Sequence, residues 1–284
     1  MAFSRRSAIL GAGAVALGAH AVAAAPDGAD PAIIDRWHRK LVYALDDRPV
    51  YWWKLGTKYG VVDGEVTPLW GMQVFFVQQV RAHRARDFDV ASLEIVFLTD
   101  LATGALLDTW RNPYTGETLP VPNRVFGPEV QTLSSVGGEV QSEMPGVSIQ
   151  RRHSFGPATV AGNDVWLPVD TASVVTRARG DAPPFRVNDL ETYHGSLADL
   201  ERERIRSAPA TAVLHIISSW QGWLKMGNRP GSQVTRLNAR KAFAMKDVPA
   251  SIRALLAAHY PGIVADPLAA LDRPPESFER SRGP

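Results

Sequence analysis

The hydrophobic pattern along the chain begins as a helical repeat and then changes to period two. Ile33, Ile34 and Trp37 fall on one face of a helix predicted over residues 32–40. Asp30 is its N-cap and Pro31 occupies its first turn. Beyond it, residues 40–44, 50–55 and 58–62 are rich in Val, Tyr and Trp and read as strands, separated by Asp-Asp-Arg-Pro and by Gly56. Asp63-Gly64 is a hairpin turn signal. Two long aromatic and β-branched runs follow, 68–81 and 90–99, then a turn at 101–104 and a strand at 105–110. Residues 112–116 form a turn and 117–122 continue extended. Residues 130–145 are polar and Gly-rich and read as a long loop.

Strands resume at 147–153, 164–168 and 173–178. Asp181-Ala-Pro-Pro184 breaks the chain, and 185–194 is extended again. Ser196-x-x-Asp199 signals the start of a charged helix over 197–205. Strands at 211–220 and 233–237 come next, and a helix over 249–260 carries Ile252, Leu255 and Leu256 on one face. The pattern predicts a mainly β fold. An antiparallel meander closes into a barrel or strongly curved sheet, with short helices at both ends.

The first residues read differently. Arg5-Arg6 precedes an uncharged stretch of Ala, Gly, Ile, Leu and Val, and Ala21-Val22-Ala23 is a small-x-small cleavage site. This combination predicts a twin-arginine signal peptide over residues 1–23, cut near Ala23. A β-rich domain is expected over 24–273 and a loosely ordered tail over 274–284. The exported protein is expected in the periplasm or outside the cell. The twin-arginine translocon would be its partner during export, and no stable membrane anchor is expected.

Composition adds exclusions. The chain has 284 residues, 45% of them hydrophobic and 21% charged, which suits a globular domain and not a disordered one. Cysteine is absent, so thiol nucleophiles, disulfides and zinc-thiolate or iron–sulfur sites are excluded. Removing the leader takes away two arginines and no acid, which brings the remainder to near neutrality. A neutral surface has no long-range attraction for phosphate backbones, and no nucleic-acid partner is expected. The cluster from Arg81 to Arg86 meets Asp87 and Asp89 at once and reads as a solvated hairpin tip.

Candidate chemistry is dispersed. No phosphate loop, nucleophile elbow or His-Glu-x-x-His element is present, and no two histidines lie three or four residues apart. Neither metal nor cofactor is expected. For acid–base work the candidates are His153, Glu191, Tyr193 and His194. In a strand, Glu191 and Tyr193 share one face and His194 takes the other, so a carboxylate–phenol pair suited to proton transfer is expected. The same pair also suits a buried hydroxyl satisfied by a carboxylate.

Two further clusters set charge beside aromatics. In Trp110-Arg111-Asn112-Pro113-Tyr114, a strand runs into a turn, with Trp110 and Asn112 on one face. It reads either as a ligand wall or as a turn closing a barrel end, with Arg111 paired to Glu117. In the run from Ser219 to Gly231, Trp220, Trp223, Lys225 and Arg229 sit within an irregular Gly- and Pro-rich backbone. It reads either as a grip on a planar or anionic group or as a rigid plug.

These two motifs carry a resemblance. Trp110-x-Asn112-Pro113-x-Thr115-Gly116-Glu117, together with Trp220-x-x-Trp223-x-Lys225-Met226-Gly227-x-Arg229-Pro230-Gly231, is similar to the bacterial family called domain of unknown function 1838. The similarity runs from about Trp37 to about Pro267. The family tends to continue into an Asn-Asp-Pro-Val-like stretch, where this chain has Pro122-Asn123-Arg124-Val125-Phe126. The resemblance implies twin-arginine export and no particular reaction.

Three functions are therefore open. The first is a binding protein holding a small aromatic or apolar molecule in a Trp-lined barrel cavity. The second is a cofactor-independent lyase, isomerase or hydratase acting on an aromatic or polyketide-like compound. The third is a structural envelope protein with a filled core. A cavity where a carboxylate, a tyrosine or a histidine meet with shifted pKa values would select the second.

Overall fold

The computed structural model describes residues 23–24, 30–84, 87–122, 124–134, 137–144, 147–177 and 183–273. The expected leader over 1–23, apart from Ala23, and the expected tail over 274–284 lie outside the described residues. A two-residue strand, β1 (Ala23–Ala24), comes first, then helix α1 (Pro31–Val42). The Asp30 carboxylate accepts from the Ala32 N–H at 3.0 Å, and Pro31 stands in the first turn, as the capping residues dictate. The helix continues through 40–42, which period two had suggested as strand. Its last turn is held by Lys241, as argued below.

The long strands are β2 (Val50–Val62), β3 (Glu65–His83) and β4 (Asp87–Thr99). A small hairpin of β5 (Thr109–Arg111) and β6 (Thr118–Pro120) stands apart from the main sheet. The main sheet continues with β7 (Val125–Ser134), β8 (Gly138–Met144), β9 (Val147–Phe155), β10 (Thr159–Ala161), β11 (Asp164–Arg177) and β12 (Phe185–Ser196). After the short helix α2 (Leu197–Glu201) come β13 (Thr211–Ser218) and β14 (Ser232–Ala242), then α3 (Ala250–His259) and α4 (Pro261–Ala265). All pairings are antiparallel, in the order β7-β4-β3-β2-β14-β13-β12-β11, and β9 and β10 share the far edge of β11. The result is a mainly antiparallel, nearly closed barrel-like sheet with a few short helices.

The two ends of this sheet approach each other without backbone pairing among the described residues. On β9, Arg151 Nη1 donates to Gln131 Oε1 of β7 at 2.6 Å, and both strands line one interior space. The polar, Gly-rich run 130–145 differs from the expected loop. Its described residues are mostly the strands β7 and β8. The inward side chains of β7, Glu129 and Gln131 among them, face a polar cavity, so the apolar–polar alternation that marks a strand is lost. The predicted breaks at Gly56 and between 168 and 173 are likewise continuous strand. Gly56 lies where a Cβ would run into the Arg236 carbonyl of β14, so its lack of a side chain serves close strand approach. The charged helix predicted to 205 ends at Glu201.

Three packed regions surround the interior. Trp37, Leu41 and Val42 of α1 close one end against Trp52, Leu167, Leu214 and Leu237. The β5–β6 hairpin and a single turn at Gly222–Leu224 close the other end around Trp70 and Trp110. Helices α3 and α4 cover the outer face of β2–β4, where Phe75, Leu93 and Ile95 meet Ile252, Leu256 and Ile263. No helix among the described residues is long and apolar enough to cross a membrane.

Candidate functional site

A cavity of about 930 Å³ runs through the interior between the two closed ends, and nearly every strand of the main sheet contributes to its wall. Period two decides which side chains reach it. On β12, Asp189, Glu191 and Tyr193 alternate inward, opposite Ile216, Leu214 and Ala212 of β13. On β2, Trp52 and Lys54 face in; on β4, Glu94 does, opposite Phe76 of β3. The apolar part of the wall comes from Val42, Trp52, Phe76, Val90 and Leu214.

The polar part is a compact charge cluster. The Tyr193 hydroxyl donates a short hydrogen bond to Glu191 Oε2. Lys54 Nζ lies 3.5 Å from Glu94 Oε2. Burial alone would push the Lys54 ammonium down, but Glu94, Glu191 and Asp189 together outweigh it and hold the group above its ordinary range. The carboxyls feel the reverse. Burial, with Glu191 beside it, raises Asp189 to about 7. Burial also raises Glu191, against the opposing pull of Lys54 and of the Tyr193 hydrogen bond. Tyr193 is driven well above its usual range by burial and by the Glu191 charge. Near neutral pH the cluster thus holds in Asp189 a carboxyl that is about half protonated, beside Glu191, whose carboxyl is raised less freely because Lys54 and the Tyr193 hydroxyl favour its charged form.

His153 shares this cavity. Its Nδ1 lies 3.1 Å from Thr171 Oγ1, and its ring is 5.9 Å from that of His38 on α1. Burial lowers both imidazoles, so both are neutral at pH 7. His194 is on the other face of β12. It contacts Asp164 Oδ1 at 2.7 Å and stacks on Trp166, outside the cavity. The structure therefore brings Glu191, Tyr193 and His153 together and sets His194 apart.

The other eight candidates, Trp110, Arg111, Asn112, Tyr114, Trp220, Trp223, Lys225 and Arg229, do not line the cavity. They build the plug at the far end. Trp110 packs edge-on to Trp70 at 4.9 Å and donates its indole N–H to Leu69 O. Trp223 sits 5.4 Å from Trp70, and its N–H goes to Gln221 Oε1. Trp220 meets the Tyr114 ring. Glu117 pairs with Lys225 at 3.2 Å and not with Arg111, the partner in the barrel-closing alternative, and Arg229 donates to Tyr114 O. Trp52 alone among the tryptophans lines the cavity, so its wall is less tryptophan-rich than expected.

Asn112 is the pin of this plug. It is fully buried, donates to Leu224 O at 2.9 Å and accepts from the Tyr114 N–H. Asn112→Leu is expected to destabilise the protein by about 2 kcal/mol, since a buried carbonyl and a buried N–H lose their partners. Urea unfolding would show this, and stability equal to wild type would contradict the pin.

A family model described as a protein of unknown function, DUF1838, matches residues 46–279. The chain belongs to that family. No curated protein and no solved structure shows significant similarity to it. The DUF1838 match covers both the plug motifs and the strands that carry the cavity cluster.

Sequence reading missed Lys54, Glu94, Asp189 and His38. Asp189 was within reach, since it precedes Glu191 by two residues on the face already assigned inward. Lys54 stands two residues after Trp52 in the same way. His38 falls on the buried side of α1, where a helix of this composition gives no chemical signal. Among the described residues, no group of three or more His, Asp or Glu side chains is arranged to hold a metal ion.

Proposed function

We propose that this DUF1838 protein binds a small, largely aromatic or apolar molecule in its barrel and transfers a proton within it, as a lyase, isomerase or hydratase does. The observation that carries this reading is the Glu94–Asp189–Glu191 group gathered round Lys54, with Tyr193 hydrogen-bonded to Glu191, in the barrel cavity. A protein that only holds an apolar ligand gains nothing from burying three carboxyls. The export signal read in the sequence supports action in the periplasm or outside the cell.

The chemistry follows from the environments. Glu191 as carboxylate accepts a proton from a C–H or O–H of the bound molecule. Asp189 as carboxylic acid delivers one to a second atom. The two Cα atoms are roughly 6.5 Å apart on one face of one strand, a spacing that lets both reach one small molecule. Proton count is conserved over the cycle once Glu191 and Asp189 exchange their proton. Tyr193 orients Glu191, and the Lys54 ammonium keeps the cluster from protonating completely. The apolar wall of Trp52, Phe76 and Leu214 holds the rest of the molecule and excludes water.

The test is deuterium uptake from D₂O into a panel of small aryl ketones, enolisable cyclic ketones and phenols. Wild-type protein is expected to accelerate exchange in at least one class, and Glu191→Gln to slow it by about 100-fold or more. Rates equal in wild type and Glu191→Gln, or no acceleration over buffer, would sink the assignment.

A further inference from the structure

The plugged end of the barrel holds a second polar layer that the proton-transfer cluster does not use. Lys58 lies four residues beyond Lys54 on the inward face of β2, with Trp70 and Thr235 as its cross-strand partners. One row further, Gly60 pairs with Gln233, and Gln233 with Ser218. Tyr114 and Trp220 pack edge-on at 5.5 Å over this row. Gly60 makes the space, since a Cβ there would lie 2.3 Å from the Tyr114 hydroxyl. Lys58, Trp70, Ser218, Gln233 and Thr235 are all buried, none more than 6% exposed.

Six polar atoms of this layer have no hydrogen-bond partner: Trp70 Nε1, Trp220 Nε1, Gln233 Nε2, Tyr114 Oη, Ser218 Oγ and Thr235 Oγ1. Folded proteins rarely leave buried polar groups bare, and a cluster of them marks the place of a bound species. Its chemistry can be read from the donors. Gln233 Oε1 accepts from the backbone N–H of Gln221 at 3.1 Å, which fixes the amide with its NH₂ to spare. The two indole nitrogens can only donate, and the three hydroxyls can donate too. All six can donate and only the three hydroxyls can also accept, so the layer is rich in donors. Lys58 adds positive charge, with the Arg124 guanidinium beside it and Asp189 as the carboxylate that opposes them. Burial and Arg124 lower the Lys58 ammonium to about 8, so an anion at this place would also restore its full charge.

We propose that this layer is a carboxylate-binding site, in which Lys58 and the donors of Trp70, Gln233 and Thr235 hold the two oxygens of the anion. Asp189 lines the main cavity and also faces Lys58, so the layer adjoins the cavity floor. The carboxylate can therefore be a small free anion or the acidic end of a molecule lying in the cavity. The site uses residues other than Glu191 and Tyr193 and does not depend on their role.

The experiment is a titration of the purified protein with sodium acetate and with 3-phenylpropionate, at constant ionic strength. Tryptophan fluorescence and melting temperature are the readouts, because Trp70 and Trp220 are part of the site. The neutral 3-phenylpropanol is the control ligand. A saturable carboxylate response is expected, weakened roughly tenfold by Lys58→Met and by the near-isosteric Thr235→Val, and unchanged in Lys225→Ala. Response to both carboxylates means a free small anion; response to 3-phenylpropionate alone means the acidic end of a cavity ligand. If Lys58→Met does not fold, Thr235→Val carries the test. No saturable response to either carboxylate, as a layer satisfied by water alone would give, overturns the proposal. So does a response unaltered in both variants, or one that 3-phenylpropanol reproduces in full. Any of these leaves the deuterium exchange at Glu191 unaffected.

Discussion

Asp189→Asn is expected to stabilise the protein at pH 8 by on the order of 3–4 kcal/mol, the free energy of moving a carboxyl from its ordinary pKa to about 7. Burial is the largest cause, and the Glu191 and Glu94 charges add to it, while Lys54 and Arg151 oppose. The sign follows from proton counts. Between about pH 4 and pH 7 the folded state holds a proton on Asp189 that the unfolded chain has released. Stability from this group is therefore complete below the unfolded value and is lost as pH rises through the folded one. Asparagine cannot ionise, so the variant escapes that loss. Urea unfolding of both proteins at pH 5 and pH 8 measures it. A pH profile with the same slope in wild type and Asp189→Asn would mean that this carboxyl is not held protonated. The expected direction also has a functional meaning. A site that gives up stability to keep a carboxyl neutral at working pH retains a proton donor in return.

The second large effect concerns the frame that shapes the cavity. Lys241, at the end of β14, is buried and donates to the carbonyls of Lys40 at 2.8 Å, of Leu41 at 3.0 Å and of Tyr43. Three acceptors match the three N–H bonds of an ammonium, and they are the open carbonyls at the C-terminus of α1, where positive charge is favoured. Lys40 does the same for α2, reaching Leu200 O and Arg202 O at 2.7 Å each. Together these lysines fasten α1 over the barrel end and set His38 and Tyr43 against the cavity. Lys241→Met keeps the length of the side chain and removes the donors. Ala208 N–H and the Ser207 hydroxyl still serve Lys40 O and Tyr43 O, so the loss is concentrated at Leu41 O and at the helix end. A destabilisation of about 3 kcal/mol is expected. Hydrogen exchange should show it as faster exchange across α1 than across β2–β4. Uniform exchange and unchanged unfolding would show that the ammonium is not the fastener.

The barrel was legible because its outer strands alternate. Phe75, Val77, Leu93 and Ile95 face the C-terminal helices, and their period-two recurrence marks β3 and β4 without ambiguity. The Glu191–Tyr193 pair was legible for the same reason. What hid the rest is that this barrel has a polar interior. Lys54, Glu94 and Asp189 point inward, yet in the sequence each looks like a residue facing solvent. The strand β7 looked like loop because its inward side chains, Glu129 and Gln131 among them, are polar where a core-facing strand is apolar. The tryptophan-rich motifs pointed to a special place but not to its kind. An aromatic beside a buried amide suits a plug as well as a ligand wall, and only the register of Trp70, Asn112 and Gly60 tells them apart.

The measurement closest to the central claim is a ¹³C-detected NMR titration of the side-chain carboxyl groups, with Asp189→Asn and Glu191→Gln used to assign the two resonances. Asp189 is expected to titrate near 7 and to move down in Glu191→Gln, and Glu191 to titrate above the ordinary glutamate range. Two carboxyls titrating independently near the ordinary value of about 4 would contradict it. The cavity would then hold no proton to transfer at neutral pH.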